Sequence, residues 1–355
     1  MFKRIRRATL LGALLGLLVA GIWLDRAVTT GSRAEGDAQI EIPKGTRAPG
    51  IIQRLHAKGL APHPRIAYWV LRYHGTFDVV QAGIHVLPQS ASLVDIAHLL
   101  KAPPARPEVT LTLIPGETVW HAAERISAAG LGTPDALLAL AADRQWVRDQ
   151  GLPVGPQRPP RPDGVPQTYL EGFLSPETHF FNPDSPLEDV VKTLTEDFLS
   201  MWRPLTARRK SDLTLLKEQF GLTPFNILTL ASLVQRETKV RSEAPVIAGV
   251  FMNRLRVSMR LQTDPTLIYH PKRIGRAPGP SDRKDATNPY NTYAHDGLPP
   301  GPICSPTRTA IEATLSPSRH DFLYFCARHD GTGRHAFART LEEHEANVTR
   351  YLKRR

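Results

Sequence analysis

The chain has 355 residues with the composition of an ordinary globular protein, and it is longer than one hydrophobic core usually organises, so two folded units are expected. A net charge of +11 and a pI near 9.9 favour an anionic partner, whether nucleic acid, a lipid headgroup surface or a carboxylate-bearing polymer, without choosing among them. Only two cysteines occur, Cys304 and Cys326, and their spacing excludes a zinc or redox motif; they are expected either as a disulfide or as two small buried hydrophobes.

Lys3, Arg4, Arg6 and Arg7 precede an uncharged run from Ala8 to Leu24. As a helix those 17 residues would span about 25 Å, short for a bilayer core but extended by basic and acidic ends that can snorkel. The basic flank predicts the N-terminus inside and the bulk of the chain outside. A cleaved signal peptide is the rival reading; a lipoprotein signal is excluded because Ile22 stands where the lipidated cysteine would be. All of these export the chain, which argues against a nucleic-acid partner. Residues 1–24 are therefore read as a cytoplasmic stub and transmembrane anchor, and residues 25–38, polar and small, as a tether.

Next the pattern predicts a strand (Gln39 to Ile42), helices over Ala48 to Lys58 and Pro64 to Tyr73, and a strand (Gly83 to Leu87), a β-α-α-β order within a unit spanning 39–107. Strand-end, turn and helix-start recur before Ser92 and before Val119, which reads either as generic strand–turn–helix grammar or as a glycan-binding module resembling LysM domains. Prolines in Lys101 to Pro107 mark a linker, and residues 108–355 are expected to form a larger mixed α+β domain. Within it, residues 152–167 carry six prolines and two glycines and are expected as a surface insertion. The basic stretch His270 to Thr287 is expected to be irregular, either lining a groove for an anionic polymer or merely solvated.

Thr223-Pro224 is a strong helix start, and Ile227, Leu230, Ala231 and Val234 define an inward stripe on the helix that follows. At about 100° per residue, Glu237 falls between Leu230 and Leu233 on the apolar side. A carboxyl aimed inward has its proton affinity raised by desolvation, as a general acid requires. The alternative is a glutamate paired with Arg236, Arg241 or Arg254 that does no chemistry.

Four segments together resemble the endolytic murein transglycosylase (YceG-like) family. They are Leu170 to Thr178, Ala231 to Thr238, Val250 to Leu255 continuing through Met259 to Thr266, and Asn288 to Tyr293 continuing into Gly297 to Ile303; Gly331 to Phe337 and Thr340 to His344 look like the family's closing motif. The match runs in order over roughly residues 39 to 352. One departure is Gln235, where the family often has an acid, which argues against two carboxylates on this helix.

The resemblance implies an enzyme of the inner membrane with its catalytic part in the periplasm. It implies cleavage of the β-1,4 bond between N-acetylmuramic acid and N-acetylglucosamine to give 1,6-anhydro ends, with Glu237 as acid and then base. It also implies substrate contacts from Glu171, Gln262, Asp264, Asn288, Tyr290, Asn291 and Tyr293, some of which serve equally as turn or cap residues. The expected partners are peptidoglycan glycan strands, the inner membrane and peptidoglycan synthases. A hydrolytic muramidase using Glu171 or Asp264 as second carboxylate, and a non-catalytic peptidoglycan-binding scaffold, remain alternatives. No cofactor is implied: His335 and His344 are read as hydrogen-bonding elements of the fold rather than metal ligands, and Gly331-Thr332-Gly333 lacks the lysine of a phosphate loop.

Overall fold

The structure, a computed structural model, describes residues 21–22, 25–26, 28–29, 36–104, 108–158 and 160–351. The expected anchor over residues 8–24 lies outside the described residues except for positions 21 and 22. Among the described residues no helix is long and apolar enough to cross a membrane. The chain divides into two compact units, one ending at Pro107 and one starting at Glu108.

In the first unit, β1 (Asp37–Ile42) pairs antiparallel with β2 (Gly83–Pro88), Ile40 lying opposite His85. Alternation turns Ala38, Ile40 and Ile42 inward. Pairing of Asp37 and Ala38 with Pro88 and Leu87 starts β1 two residues earlier than the sequence pattern suggests. Helices α1 (Ala48–Ala57), α2 (Pro64–Tyr73) and α3 (Leu93–Leu99) cover this ribbon. Pro64 occupies the first turn of α2, where its missing N–H costs nothing, and Ser92 and Asp95 form a reciprocal capping box at α3. Ile51, Leu55, Leu71, Leu87 and Ile96 close the core.

The second unit is mostly helical, with two separate antiparallel ribbons. β3 (Val109–Thr112) pairs with β4 (Thr178–Phe181) across the intervening helices α4 (Val119–Ala128), α5 (Pro134–Ala142) and α6 (Arg144–Asp149). Then come α7 (Leu187–Arg208), α8 (Lys210–Phe220), α9 (Pro224–Glu237) and α10 (Ala244–Arg256), followed by the short helices α11 (Asp264–Leu267) and α12 (Pro280–Lys284). α13 (Arg308–Leu315), the ribbon of β5 (Tyr324–Ala327) with β6 (His335–Ala338), and α14 (Leu341–Tyr351) complete it.

Helix α9 is the centre of this unit, packed by both α10 and α13. Beyond the expected stripe, Leu228 and Leu233 are also fully buried, so the helix is enclosed on every side over most of its length. Each such side chain removed from water contributes about 1.5–3 kcal/mol, which makes α9 a rigid mount.

The proline-rich stretch 152–167 carries no helix or strand among its described residues and is exposed at several prolines, but it is anchored to the core: Leu152, Gly155, Arg161 and Val165 are buried. A Cβ on Gly155 would come within 2.3 Å of the Phe225 ring, and Arg144 donates two hydrogen bonds to the Gly155 carbonyl. Prolines remove regular hydrogen bonding but not apolar surface, and this stretch is packed onto the start of α9.

Candidate active site

Local sequence sets both ends of α9. The Thr223 hydroxyl accepts from the Asn226 N–H (3.3 Å) and the Asn226 side chain accepts from the Thr223 N–H (2.9 Å), a capping box with Pro224 in the first turn. The helix stops at Glu237, after which Thr238 turns to extended backbone. Glu237 is half-buried.

The loop after α10 supplies its partner. Gln262 adopts a left-handed conformation (φ 45°), strained for a non-glycine residue and anchored by its N–H to the Thr292 carbonyl (3.1 Å). The next residue, Thr263, donates its hydroxyl to Glu237 Oε1, while its own N–H is held by the Thr292 hydroxyl (3.0 Å). Asp264 follows, partly exposed, accepting from the Tyr293 hydroxyl (2.7 Å) and from Arg283 (3.2 and 3.3 Å).

Burial pushes the proton affinity of Glu237 up, and the negative charge of Asp264 adds to it. The Thr263 hydrogen bond, His335 and Arg236 act in the opposite sense but do not cancel desolvation. The result is a carboxyl that holds its proton above the ordinary glutamate range and has one designated donor for its ionised form.

The other sequence-derived positions divide sharply. Glu171 is interior, with 1% of its surface exposed. Its carboxylate accepts from the Val119 N–H at the start of α4 (3.1 and 3.2 Å) and from the Tyr269 hydroxyl (2.8 Å), and desolvation raises its pKa to about 7. Gly172 beside it has φ 86° and sits where a Cβ would lie 2.8 Å from Pro302, so the backbone there admits only glycine. Asn291 is fully buried, its amide donating to the carbonyls of Asp282, Arg283 and Asp285 (3.1, 3.2 and 2.9 Å). Asn288 and Tyr290 are buried too, the first bonded to the Leu267 carbonyl (3.4 Å) and the Tyr290 N–H (3.0 Å), the second accepting from Arg158 (2.8 Å).

These side chains therefore shape the scaffold, and of the motif from Asn288 to Tyr293 it is Thr292, through Thr263, and Tyr293, through Asp264, that reach the Glu237 surroundings. The amides of Asn288 and Asn291 expected to meet a sugar are already committed to backbone groups. Gln262 is exposed.

The basic stretch is neither free groove lining nor a solvated loop throughout. Arg273 pairs with Asp285 (3.1 Å), Arg276 with Asp282 (2.6 Å) and Arg283 with Asp264 (3.2 Å), and α12 forms inside it. His335 is buried against Glu243 (2.8 Å), six residues past Glu237. His344 stacks on Tyr324 at 5.3 Å, and its Nδ1 is buried without a hydrogen-bond partner rather than bonded as expected. Cys304 and Cys326 are both free thiols, the first donating to the Ser232 carbonyl (3.3 Å). Among the described residues no group of three or more His, Cys, Asp or Glu is placed to hold a metal.

In the sequence Thr263 stands out only as part of a motif, and its hydroxyl next to Asp264 is the one signal of its role. Gln235, the departure from the family pattern, accepts from the N–H and hydroxyl of Thr307 (3.0 and 2.7 Å), tying α9 to the start of α13. A surface cavity of about 640 Å³ lined by Ile114, Glu177, Arg241 and Arg308 lies beside this end of α9 without being lined by Glu237 itself.

Fold and site together define a two-unit α+β protein that mounts one proton-holding glutamate at the end of a buried helix. Residues 40–350 match the YceG-like family, and the chain belongs to it. It is 28% identical over 324 residues to the endolytic murein transglycosylase of Bacillus subtilis strain 168, covering 88% of this chain and 84% of that protein. It is likewise 28% identical over 346 residues to the endolytic murein transglycosylase of Streptococcus pneumoniae serotype 2, covering 93% of this chain but only 61% of that longer protein. The crystal structure of a YceG-like protein from Listeria monocytogenes matches with a TM-score of 0.57 at 28% identity, over 88% of this chain and 99% of that one.

Proposed function

We propose that the protein is a peptidoglycan lytic transglycosylase with Glu237 as its single acid/base. The observation that carries this reading is the Glu237 carboxyl itself: proton-holding through burial, on a residue that is only half-buried as a whole, and hydrogen-bonded by Thr263 on one oxygen. The names of the relatives in Bacillus subtilis and Streptococcus pneumoniae support the substrate class.

In the reaction, Glu237 donates its proton to the glycosidic oxygen as the bond to the anomeric carbon of N-acetylmuramic acid breaks. Now ionised and stabilised by the Thr263 hydroxyl, it removes the proton of the same sugar's 6-hydroxyl, whose oxygen closes on the anomeric carbon. Atoms balance without water, and the enzyme ends in its starting protonation state. Because the nucleophile belongs to the substrate, no second carboxylate is needed. That fits a site where Asp264 is engaged by Tyr293 and Arg283 and Glu171 is enclosed. We place the catalytic unit outside the inner membrane, anchored by residues 8–24 and close to the synthases that make the glycan.

Digestion of purified sacculi followed by mass spectrometry tests the proposal. The expected products end in anhydro-muramic acid, one water lighter than reducing ends, and Glu237→Gln lowers their formation about 10²–10⁴-fold while binding to sacculi is retained. Reducing ends alone would establish the muramidase instead, and unchanged cleavage by the variant would remove Glu237 from the mechanism.

A further inference from the structure

Helix α2 of the first unit turns Ala67 and Leu71 fully into the core, while its outer face presents Trp69 at 66% exposure and Tyr73 at 88%. Arg65 and Arg72 are exposed as well, and with a period of 3.6 residues these four side chains share one stripe. No acidic residue occurs between Pro64 and Tyr73. The Trp69 ring is braced edge-on by Tyr68 at 5.6 Å and Tyr73 edge-on by His74 at 5.4 Å, so the exposed rings are supported rather than loose.

We propose that this face of α2 lies on the surface of an anionic lipid bilayer. Tryptophan and tyrosine, apolar in body and polar at one edge, favour the depth of lipid headgroups, and arginine can lay its stem among them while its guanidinium meets phosphate. A basic stripe free of acids complements a negatively charged leaflet. The proposal rests on the anchored reading of residues 8–24. From Leu24 to β1 at Asp37 only residues 25–36 intervene, and at about 3.3–3.6 Å per residue even a fully extended tether keeps the unit within about 45 Å of the bilayer.

A glycan strand suits this stripe less well, because the face is the convex outside of a helix and offers no side-chain amide or carboxylate to sugar hydroxyls. The same unit has a concave site elsewhere, about 430 Å³ and lined by Gln39, Glu41, Arg54 and Lys58.

The test uses the full chain carrying fluorine-labelled tryptophan in nanodiscs of phosphatidylglycerol and phosphatidylethanolamine, with a headgroup spin-labelled lipid. The chain has five tryptophans, and Trp69→Phe assigns the resonance in question. Docking predicts paramagnetic broadening of the Trp69 signal, lost when Arg65→Glu and Arg72→Glu are combined. Trp120 and Trp202, buried in the second unit, report that the fold is retained. A Trp69 signal indifferent to spin-labelled lipid, equal broadening in the charge-reversed variant, or a response to soluble glycan oligomers in place of lipid overturns the proposal. Failure of the chain to stay with the discs refutes the anchor instead. The face is then read with phosphatidylglycerol vesicles carrying the same label, where absence of broadening refutes docking as well.

Discussion

Thr263→Val is the most selective perturbation available. Valine keeps the shape of a side chain that is 2% exposed, and the backbone bonds of residue 263 to Thr292 and Thr266 remain. What disappears is one hydroxyl and its bond to Glu237. A hydrogen bond to a charged group contributes about 1.5–3 kcal/mol, and one pH unit of proton affinity corresponds to about 1.36 kcal/mol. The ionised carboxyl loses its donor and binds its proton more tightly. On the proposed mechanism the free enzyme must carry that proton to act as acid, so kcat/KM should be high at low pH and fall as pH rises through the Glu237 titration. The variant should therefore lose activity about one to two pH units later than the parent. Product formation from a defined glycan strand, followed by mass spectrometry across the pH range, measures it. A fall-off at unchanged pH, with only the plateau rate reduced, would refute the idea that this hydroxyl acts on the proton.

Asp264→Asn is expected to do the opposite: it removes a negative charge that raises the proton affinity of Glu237, so the same fall-off moves to lower pH, and the profiles of the two variants should bracket the parent. Glu171 makes a prediction about stability rather than rate. Its folded pKa of about 7 lies above the ordinary glutamate value of 4.5, so the native state binds the extra proton in that window. Stability from this group is full below pH 4.5 and declines as pH rises through about 7, by on the order of 3 kcal/mol. Urea midpoints measured across this window should fall for the parent and stay flatter for Glu171→Gln; parallel curves would count against it.

Where the controlling interactions are local, the chain is readable as text. Pro64 and the Thr223-Pro224 cap begin helices α2 and α9 as their chemistry requires, and the angular position of Glu237 follows from the helical repeat. Non-local packing is where reading stops. Periodicity reveals one apolar stripe on α9 but not the second neighbour, α13, that encloses its remaining faces. The four-residue strands β3 and β4 owe their existence to partners far along the chain, with Thr112 opposite Thr178. Asparagine is ambiguous by nature: the same amide can meet an acetamido group or a carbonyl, and only the folded arrangement shows Asn291 bonded to three carbonyls of the basic loop. Proline content is misleading for a related reason, since Leu152 and Val165 supply core surface whatever their backbone does.

The surroundings of Glu237 have a temporal consequence. Its helix, the Thr263 loop, Tyr293 and the β6 histidine are brought together from positions 237, 263, 293 and 335, and each such distant closure costs chain entropy before its contacts repay it. Until they are made, Glu237 is a hydrated carboxylate with an ordinary affinity for its proton. On the proposed chemistry and placement, a molecule still unfolded as it emerges outside the membrane is thus harmless to the wall beside it, and the capacity to cut arrives only with the finished tertiary structure.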